Sequence, residues 1–380
     1  MTDHDPWSDL SLDQRRGEGD PPADAVLDAI FAAGDGVVYS INLLMRSLVD
    51  NDDLPAAGLP PALRDYFVRG AALPDWADRE AIALASQVFH TYAPQIILLL
   101  HTAALPTCYA CRRGVQVLAR SGRMYSDVQR RVIETAQFVI DVMAPGGLDR
   151  DPNAFGAGIR SAQKVRLMHA AIRRHLRRDP TWDPAWGTPI NQEDLAGTLL
   201  SFSWIILRGL ERLGVELSPD ERAAYLHTWC VVGHLLGLDP TLLTHDLRGA
   251  ERLMGEILRR NQGVCPEGQL MTRALIEAME RAIPGTTLDG LPTLLIHDSV
   301  GAETAALLGV PAPQASERWL GALRSAGAEL GDERRDHALV RAGAPIVGRL
   351  LLRGLMLAYR GPGRAAFNIP RTLRAAHDLS

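Results

Sequence analysis

Cysteine, aromatic residues and strand-like alternation are all scarce in this sequence, and each shortage excludes something. Four cysteines in 380 residues cannot staple a fold of this size, so a disulfide-dense scaffold is ruled out. Aromatic residues make up 6%, and no segment alternates apolar and polar with a period of two, which argues against a β-sandwich or barrel. Positive charge is not in excess: 40 Lys and Arg face 45 Asp and Glu, a net charge of −5. Nothing global therefore attracts nucleic acid or an anionic membrane surface. Long apolar runs are missing as well. The most apolar stretch, Ile96 to Leu100 and its neighbours, is interrupted by Pro94, His101 and Pro106, and it falls short of the roughly 20 residues a bilayer span requires. The opening Met1-Thr2-Asp3-His4-Asp5-Pro6 has no basic start followed by an apolar segment, so no export signal is expected, and the protein is expected in the cytoplasm with its thiols reduced. The HExxH, paired ExxH, GxSxG, Walker A and strand-linked GxGxxG patterns do not occur, which leaves zinc-protease, di-iron, hydrolase, NTPase and dinucleotide-binding readings without support.

What is present favours helices. Hydrophobic residues make up 47% and charged residues 22%, enough for a large core, and Leu, Ala and Arg dominate. Residues 1–24 are polar, with Gly17, Gly19, Pro21 and Pro22, and read as a disordered leader. From there to about residue 360 the chain alternates apolar periodic segments with short Gly/Pro breaks, which predicts one large all-α domain. Helices are expected at 24–33, 36–49, 61–71, 78–102, 107–120, 126–143, 156–176, 191–213, 219–236, 240–260, 266–281, 290–308, 315–326 and 342–358, with a tail at 361–380. Asp78 and Ser126 have the character of N-caps, and Ser218-Pro219 puts proline at a first helical position. Gly209 and Gly233 fall inside helices, where glycine costs about 1 kcal/mol; close packing or a bulky ligand would explain them. Cys108 and Cys111 form a CxxC without the second pair a structural zinc needs, and Arg112 stands where covalent haem attachment requires His. Two small core residues one helical turn apart is the simpler reading.

Two helices carry polar residues where core is expected. Over 128–143 apolar side chains lie on nearly every side, as in a buried helix, yet Arg131, Glu134 and Thr135 share one face at i, i+3 and i+4, continued by Phe138 and Val142. Either Arg131 and Glu134 form an internal ion pair, or the three face a cavity, because buried charges need partners. Over 156–178, His169 lies on a stripe with Val165, Ile172 and Leu176, flanked by Lys164, Arg166, Arg173, Arg174, Arg177 and Arg178. A histidine in that setting is either a satisfied core residue or a ligand; a haem iron needs one neutral imidazole in an apolar slot, and arginines can pair with haem propionates. His227 and His234, seven apart on the helix that holds Trp229, could line the same cavity.

The segments Leu105-Pro106-Thr107-Cys108-Tyr109-Ala110, Arg131-Val132-Ile133-Glu134-Thr135, Lys164 through Arg173, Pro189 through Leu195 and Trp229 through Leu238 resemble, in order and spacing, the latex-clearing rubber oxygenase family. Its wider membership includes the membrane-bound fungal oxygenase that cleaves a prenyl chain in mycophenolate biosynthesis. The likeness runs from about residue 36 to 310. It implies a globin-like helical core around non-covalent haem b, with His169 as the iron ligand and Arg166, Arg173 and His234 near the cofactor. It implies Arg131, Glu134 and Thr135 as catalytic residues on the dioxygen side, with a hydrophobic small molecule and O2 as partners. The implied reaction is oxidative cleavage of a carbon–carbon double bond to two carbonyl ends.

The chain departs from the rubber-cleaving pattern in two places. Glu134 stands where those members carry Lys, and no Glu occurs between Glu80 and Glu134, where they place one. With no export signal either, a smaller intracellular alkene or isoprenoid is expected rather than rubber. Haem-dependent hydroxylation or peroxygenase chemistry on a small metabolite is the alternative within enzymes, and a non-catalytic haem-binding protein the alternative outside them.

Overall fold

The computed structural model describes residues 5–32, 60–121, 128–149, 156–282, 290–312, 344–345 and 347–353. In chain order the helices are α1 (Asp9–Gly17), α2 (Pro21–Ala32), α3 (Pro61–Arg69), α4 (Arg79–Leu99), a π-helical turn (Leu100–Ala104), α5 (Leu105–Ala110), α6 (Val115–Arg120), α7 (Val128–Met143), α8 (Gly158–Leu176), α9 (Gln192–Phe202), α10 (Trp204–Arg212), α11 (Pro219–Leu235), α12 (Leu247–Asn261), α13 (Pro266–Ala282), α14 (Leu291–Val300) and α15 (Ala302–Leu307). The β-structure among the described residues is a lone bridge between Cys111 and Gln262. The expected all-α domain is what forms. The helices expected at 36–49 and 315–326, the N-cap Ser126 and the tail 361–380 lie outside the described residues.

The apolar stretch with three interruptions is not broken by them. Pro94 has no N–H to give to the carbonyl of His90, and the backbone answers with a kink at Tyr92 (φ −114°, ψ 20°). The ring of Pro106 would strike the carbonyl four residues earlier in regular α geometry; the π-helical turn Leu100–Ala104 just before it adds the slack. The result is one helical passage, Arg79–Ala110, of 32 residues. By length and composition alone it could cross a membrane, but most of its apolar window is buried inside the fold, as in a central core helix. α4 pairs most extensively with α11, and Phe89, Ile97, Tyr225 and Val231 of this pair are fully buried. Trp229 of α11 ties in two further helices, with ring centroids 5.5 Å from Phe202 on α9 and 6.5 Å from Phe138 on α7; such pairs are worth about 0.5–1.5 kcal/mol beyond the area they bury.

Both helix-interior glycines are explained by packing. A Cβ on Gly209 would lie 2.6 Å from Leu99 Cδ2, and one on Gly233 would lie 2.8 Å from Leu199 and Leu243. Asp78 caps α4 by accepting from the N–H groups of Glu80 and Ala81, and Ser218 with Glu221 closes a capping box on α11. The helix expected over 107–120 is split at Cys111–Gly114, where Cys111 leaves α5 to bridge Gln262, and that over 191–213 is split at Ser203. Cys108 and Cys111 therefore sit at a helix end, both thiols pushed up by burial.

The leader is where the structure departs most from expectation. Residues 9–17 form α1, capped by the Ser8 hydroxyl, with Leu12 fully buried. Its polarity is not that of a solvated tail. Arg16 is buried and donates to Glu193 at 2.7 Å, to Asp194 at 2.9 Å and to Asn261 at 2.7 Å. Glu193 also receives Arg260 at 2.9 Å and Asn261 at 2.8 Å. This buried network joins α1, α9 and α12, and it is built from the segment Asn191-Gln192-Glu193-Asp194.

Candidate active site

The site is framed by α7 and α8. The two helices run antiparallel and pack along one another. At the closed end Gly158 N–H donates to Gly147 O at 2.9 Å, and Asp141 accepts from Ser161 Oγ at 2.9 Å and from Gln137 Nε2 at 2.6 Å. Counting away from that link at 1.5 Å per residue in an antiparallel pair, Glu134 and Met168 stand at one level, about 10 Å along. The polar triplet of α7 and His169 of α8 therefore share a level. Burial changes along the way: Phe138 and Val142 are buried, Arg131 and Thr135 are partly exposed, and the side chains of Glu134 and Met168 are both exposed.

Asp141 is a half-buried acid between the two helices. Burial pushes its pKa up to about 6, against the lowering effect of its two hydrogen bonds and of Lys164. A carboxyl whose folded value lies above its unfolded value, near 3.9, holds its proton more tightly when folded. Its stabilising contribution is complete below about pH 4 and is lost as the pH rises through about 6. Asp141→Asn keeps the hydrogen-bonding shape without the charge. Relative to wild type it is expected to gain about 2 kcal/mol between pH 4.5 and pH 8, read by urea unfolding at the two pH values. An identical difference at both would show that Asp141 titrates as an ordinary surface carboxylate.

On α7 the ion pair with Arg131 is one of two readings for Glu134, and the structure gives each of them other neighbours. Arg131 donates to Leu118 O at 2.7 Å and to Ser121 Oγ at 3.1 Å, while Glu134 lies 3.6 Å from Arg130. Thr135 Oγ1 donates to the Arg131 carbonyl at 2.8 Å, a common use of a mid-helix hydroxyl. Arg131 is thereby tied to the end of α6, and its charge reaches the buried Tyr109.

On α8, His169 has its Nδ1 buried without a hydrogen-bond partner. Burial, with Arg173 adding to it, pushes its pKa down to about 4, so the imidazole is neutral at physiological pH. Arg166 and Arg173, expected to meet cofactor carboxylates, are held by protein carboxylates instead. Arg166 makes a bidentate pair with Asp20 at 2.6 and 2.8 Å. Arg173 donates to Asp24 at 2.8 and 3.0 Å and to Ile190 O at 2.8 Å. The physical reason is the ordered N-terminus, which brings two aspartates onto the basic face of α8. Gly237, at the end of α11 with φ +80°, lets Arg166 lie flat there: a Cβ would sit 2.5 Å from its Nε. His234 is set against Trp76, at 6.3 Å between ring centroids, together with His227 and His245 at 5.7 and 5.0 Å. His227 Nε2 accepts the Asp78 N–H at 2.9 Å.

One buried imidazole was not singled out from sequence. His101 lies inside the π-helical turn, its Nδ1 2.6 Å from Ile97 O and its Nε2 buried without a partner. Burial pushes its pKa down to about 4. The signal available was a histidine inside an apolar run, five residues ahead of a proline.

These donors can be tested against possible cofactors. Among the described residues no three His, Cys, Asp or Glu side chains come together as a metal cage, so a multi-ligand ion centre is not built from them. A haem iron asks for less: one neutral imidazole, free of other partners, in an apolar setting. His169 offers the neutral imidazole with an unpartnered Nδ1, on a stripe with Val165 and Ile172 but beside the ion pairs of Arg166 and Arg173. Arg166 and Arg173 are committed to Asp20 and Asp24, with Arg173 Nη2 left buried and without a partner.

The domain is all-helical, with a neutral histidine on α8 at the level of the Arg/Glu/Thr cluster on α7, and its class, a helical oxygenase, comes from its family. The sequence model described as "ER-bound oxygenase mpaB/B'/Rubber oxygenase, catalytic domain" matches residues 93–329, and the chain belongs to this family. It is 27% identical over 307 residues to the rubber oxygenase of Streptomyces sp. (strain K30), covering 79% of this chain and 73% of that protein. Its fold is similar to that of latex clearing protein LCP in the closed state, with a TM-score of 0.72 and 23% identity over 86% of this chain and 90% of that one.

Proposed function

We propose that this protein is a haem b-dependent oxygenase that uses O2 to cleave a carbon–carbon double bond in an isoprenoid or another hydrophobic alkene. The observation that carries the reading is His169: a half-buried, neutral imidazole whose Nδ1 is buried and unpartnered, on the helix that runs beside the Arg131/Glu134/Thr135 face. Family membership supports oxygenase chemistry, and a relative that acts on rubber supports an apolar, alkene-bearing substrate. Haem, when bound, supplies the iron at which O2 is activated. His169 would hold that iron. Arg131 offers a fixed cation, its fork anchored on Leu118 O and Ser121 Oγ, for negative charge developing on the oxygen side. The Thr135 hydroxyl can turn from the Arg131 carbonyl to the same region. Glu134, half exposed beside Arg130, can take up and return a proton through solvent.

The test is direct. Purified protein supplied with haemin should develop a Soret band, and, after reduction, carbon monoxide should shift it by binding the open side. With a defined-length polyisoprenoid and O2, two carbonyl fragments should accumulate. A single added oxygen would move the reading to hydroxylation, and a protein that stays colourless would end it.

A further inference from the structure

The face of α8 that holds His169 is pinned by a segment far away in sequence. Arg166 precedes His169 by three residues and Arg173 follows it by four, so both flank it on one side of the helix. Arg166 is held by Asp20 at 2.6 and 2.8 Å, and Arg173 by Asp24 at 2.8 and 3.0 Å. These are not surface pairs: the side chain of Asp20 is 3% exposed and that of Arg173 0%. The two aspartates are themselves one helical turn apart at the start of α2, where the Asp24 N–H donates to the Asp20 carbonyl at 2.9 Å. Gln192 fixes the same corner by donating to Gly19 O at 2.8 Å. Outside this core, Arg174 pairs with Asp28 and Arg177 with Asp24, extending the strap along α8.

We infer that Asp20 and Asp24 are positioning residues for His169: together they clamp the helical turn that carries it and balance the two positive charges beside its imidazole. The inference rests on the reading of His169 as the iron ligand. Its geometry is simple. α8 cannot slide or rotate at His169 without breaking two largely buried, charge-assisted pairs, one a turn before it and one a turn after. Its electrostatics are equally simple. Each Arg–Asp pair is neutral as a whole, and loss of one carboxylate leaves a buried cation within a turn of the imidazole. Groups of this outer layer orient metal ligands and tune the metal in proteins generally.

The experiment uses the full-length haem-loaded protein and the variants Asp20→Asn, Asp24→Asn and Asp20→Glu, with Leu253→Ala as a charge-neutral core truncation far from α8 in sequence. In the two Asn variants the Fe(III)/Fe(II) potential should move upward, because an uncompensated cation disfavours the ferric state. Haem should also transfer to an acceptor protein about tenfold faster. Asp20→Glu should return both toward wild type. Leu253→Ala should lower stability without moving the potential. If Asp20→Asn fails to fold, Asp24→Asn carries the same expectation. Potentials that stay at the wild-type value in the Asn variants overturn the inference and leave the haem reading standing. A His169→Ala protein that keeps an unchanged Soret band removes the haem reading, and this inference with it.

Discussion

Glu193→Ala is expected to lower stability by about 3–5 kcal/mol, the range for breaking a buried ion pair by deleting one partner. Glu193 is fully buried and receives Arg16 at 2.7 Å, Arg260 at 2.9 Å and Asn261 at 2.8 Å. Without it, two guanidinium groups with only 5% and 7% of their side-chain surface exposed lose their shared acceptor. Arg16 keeps Asp194, and Arg260 keeps Asp9 and Asp13, which is why the loss should not exceed that range. For a chain of this length the melting temperature should fall by roughly 4–6 °C. Glu193→Gln, which keeps the shape and part of the hydrogen bonding, should cost less. Limited proteolysis should then cut first within α1, because Arg16 is its main polar tether to α9. A loss below about 1 kcal/mol would mean that the network is solvated and contributes as surface pairs do.

The second large effect is on the cofactor. His169→Ala is expected to abolish the Soret band of the haemin-treated protein while leaving the helical circular-dichroism signal in place. The substitution removes a side chain whose Nδ1 has no hydrogen-bond partner, so no polar contact is orphaned by it and the fold has little reason to fail. Added imidazole should enter the vacated space and restore part of the band. The parallel change His101→Ala is the control, since that imidazole is buried, with one ring nitrogen unpartnered and its pKa down to about 4, but lies on the central helical passage. It should weaken the fold and leave haem uptake intact. If His101→Ala removed the band and His169→Ala did not, the roles of the two histidines would be exchanged.

Much of this was legible in the chain. Apolar spacing and caps gave the helices, and two predicted caps, Asp78 and Ser218, are the ones that form. The odd polar residues of α7 and α8 were visible as violations of an apolar pattern. Less legible were the places where two local signals compete. Proline reads as a helix breaker, yet at Pro94 and Pro106 the chain keeps its helix by a kink and a π-helical turn, because burial of the flanking apolar residues outweighs one lost hydrogen bond at each. A polar, glycine-bearing start reads as disordered, yet α1 is docked through Leu12 and Arg16.

By itself, then, the sequence determined the helical class, the periodic faces of its helices and the identity of His169 and the Arg131/Glu134/Thr135 cluster as out of place in an apolar setting. Those follow from neighbours three and four residues apart, where spacing fixes which side chains share a face. What only the tertiary structure decided is what the charges of α8 do. Arg166 finds Asp20 across 146 residues of chain, and Arg173 finds Asp24 across 149. A guanidinium offers the same donors to a propionate as to an aspartate, so no local pattern distinguishes the two. Only the docking of the N-terminal segment settles which carboxylate arrives.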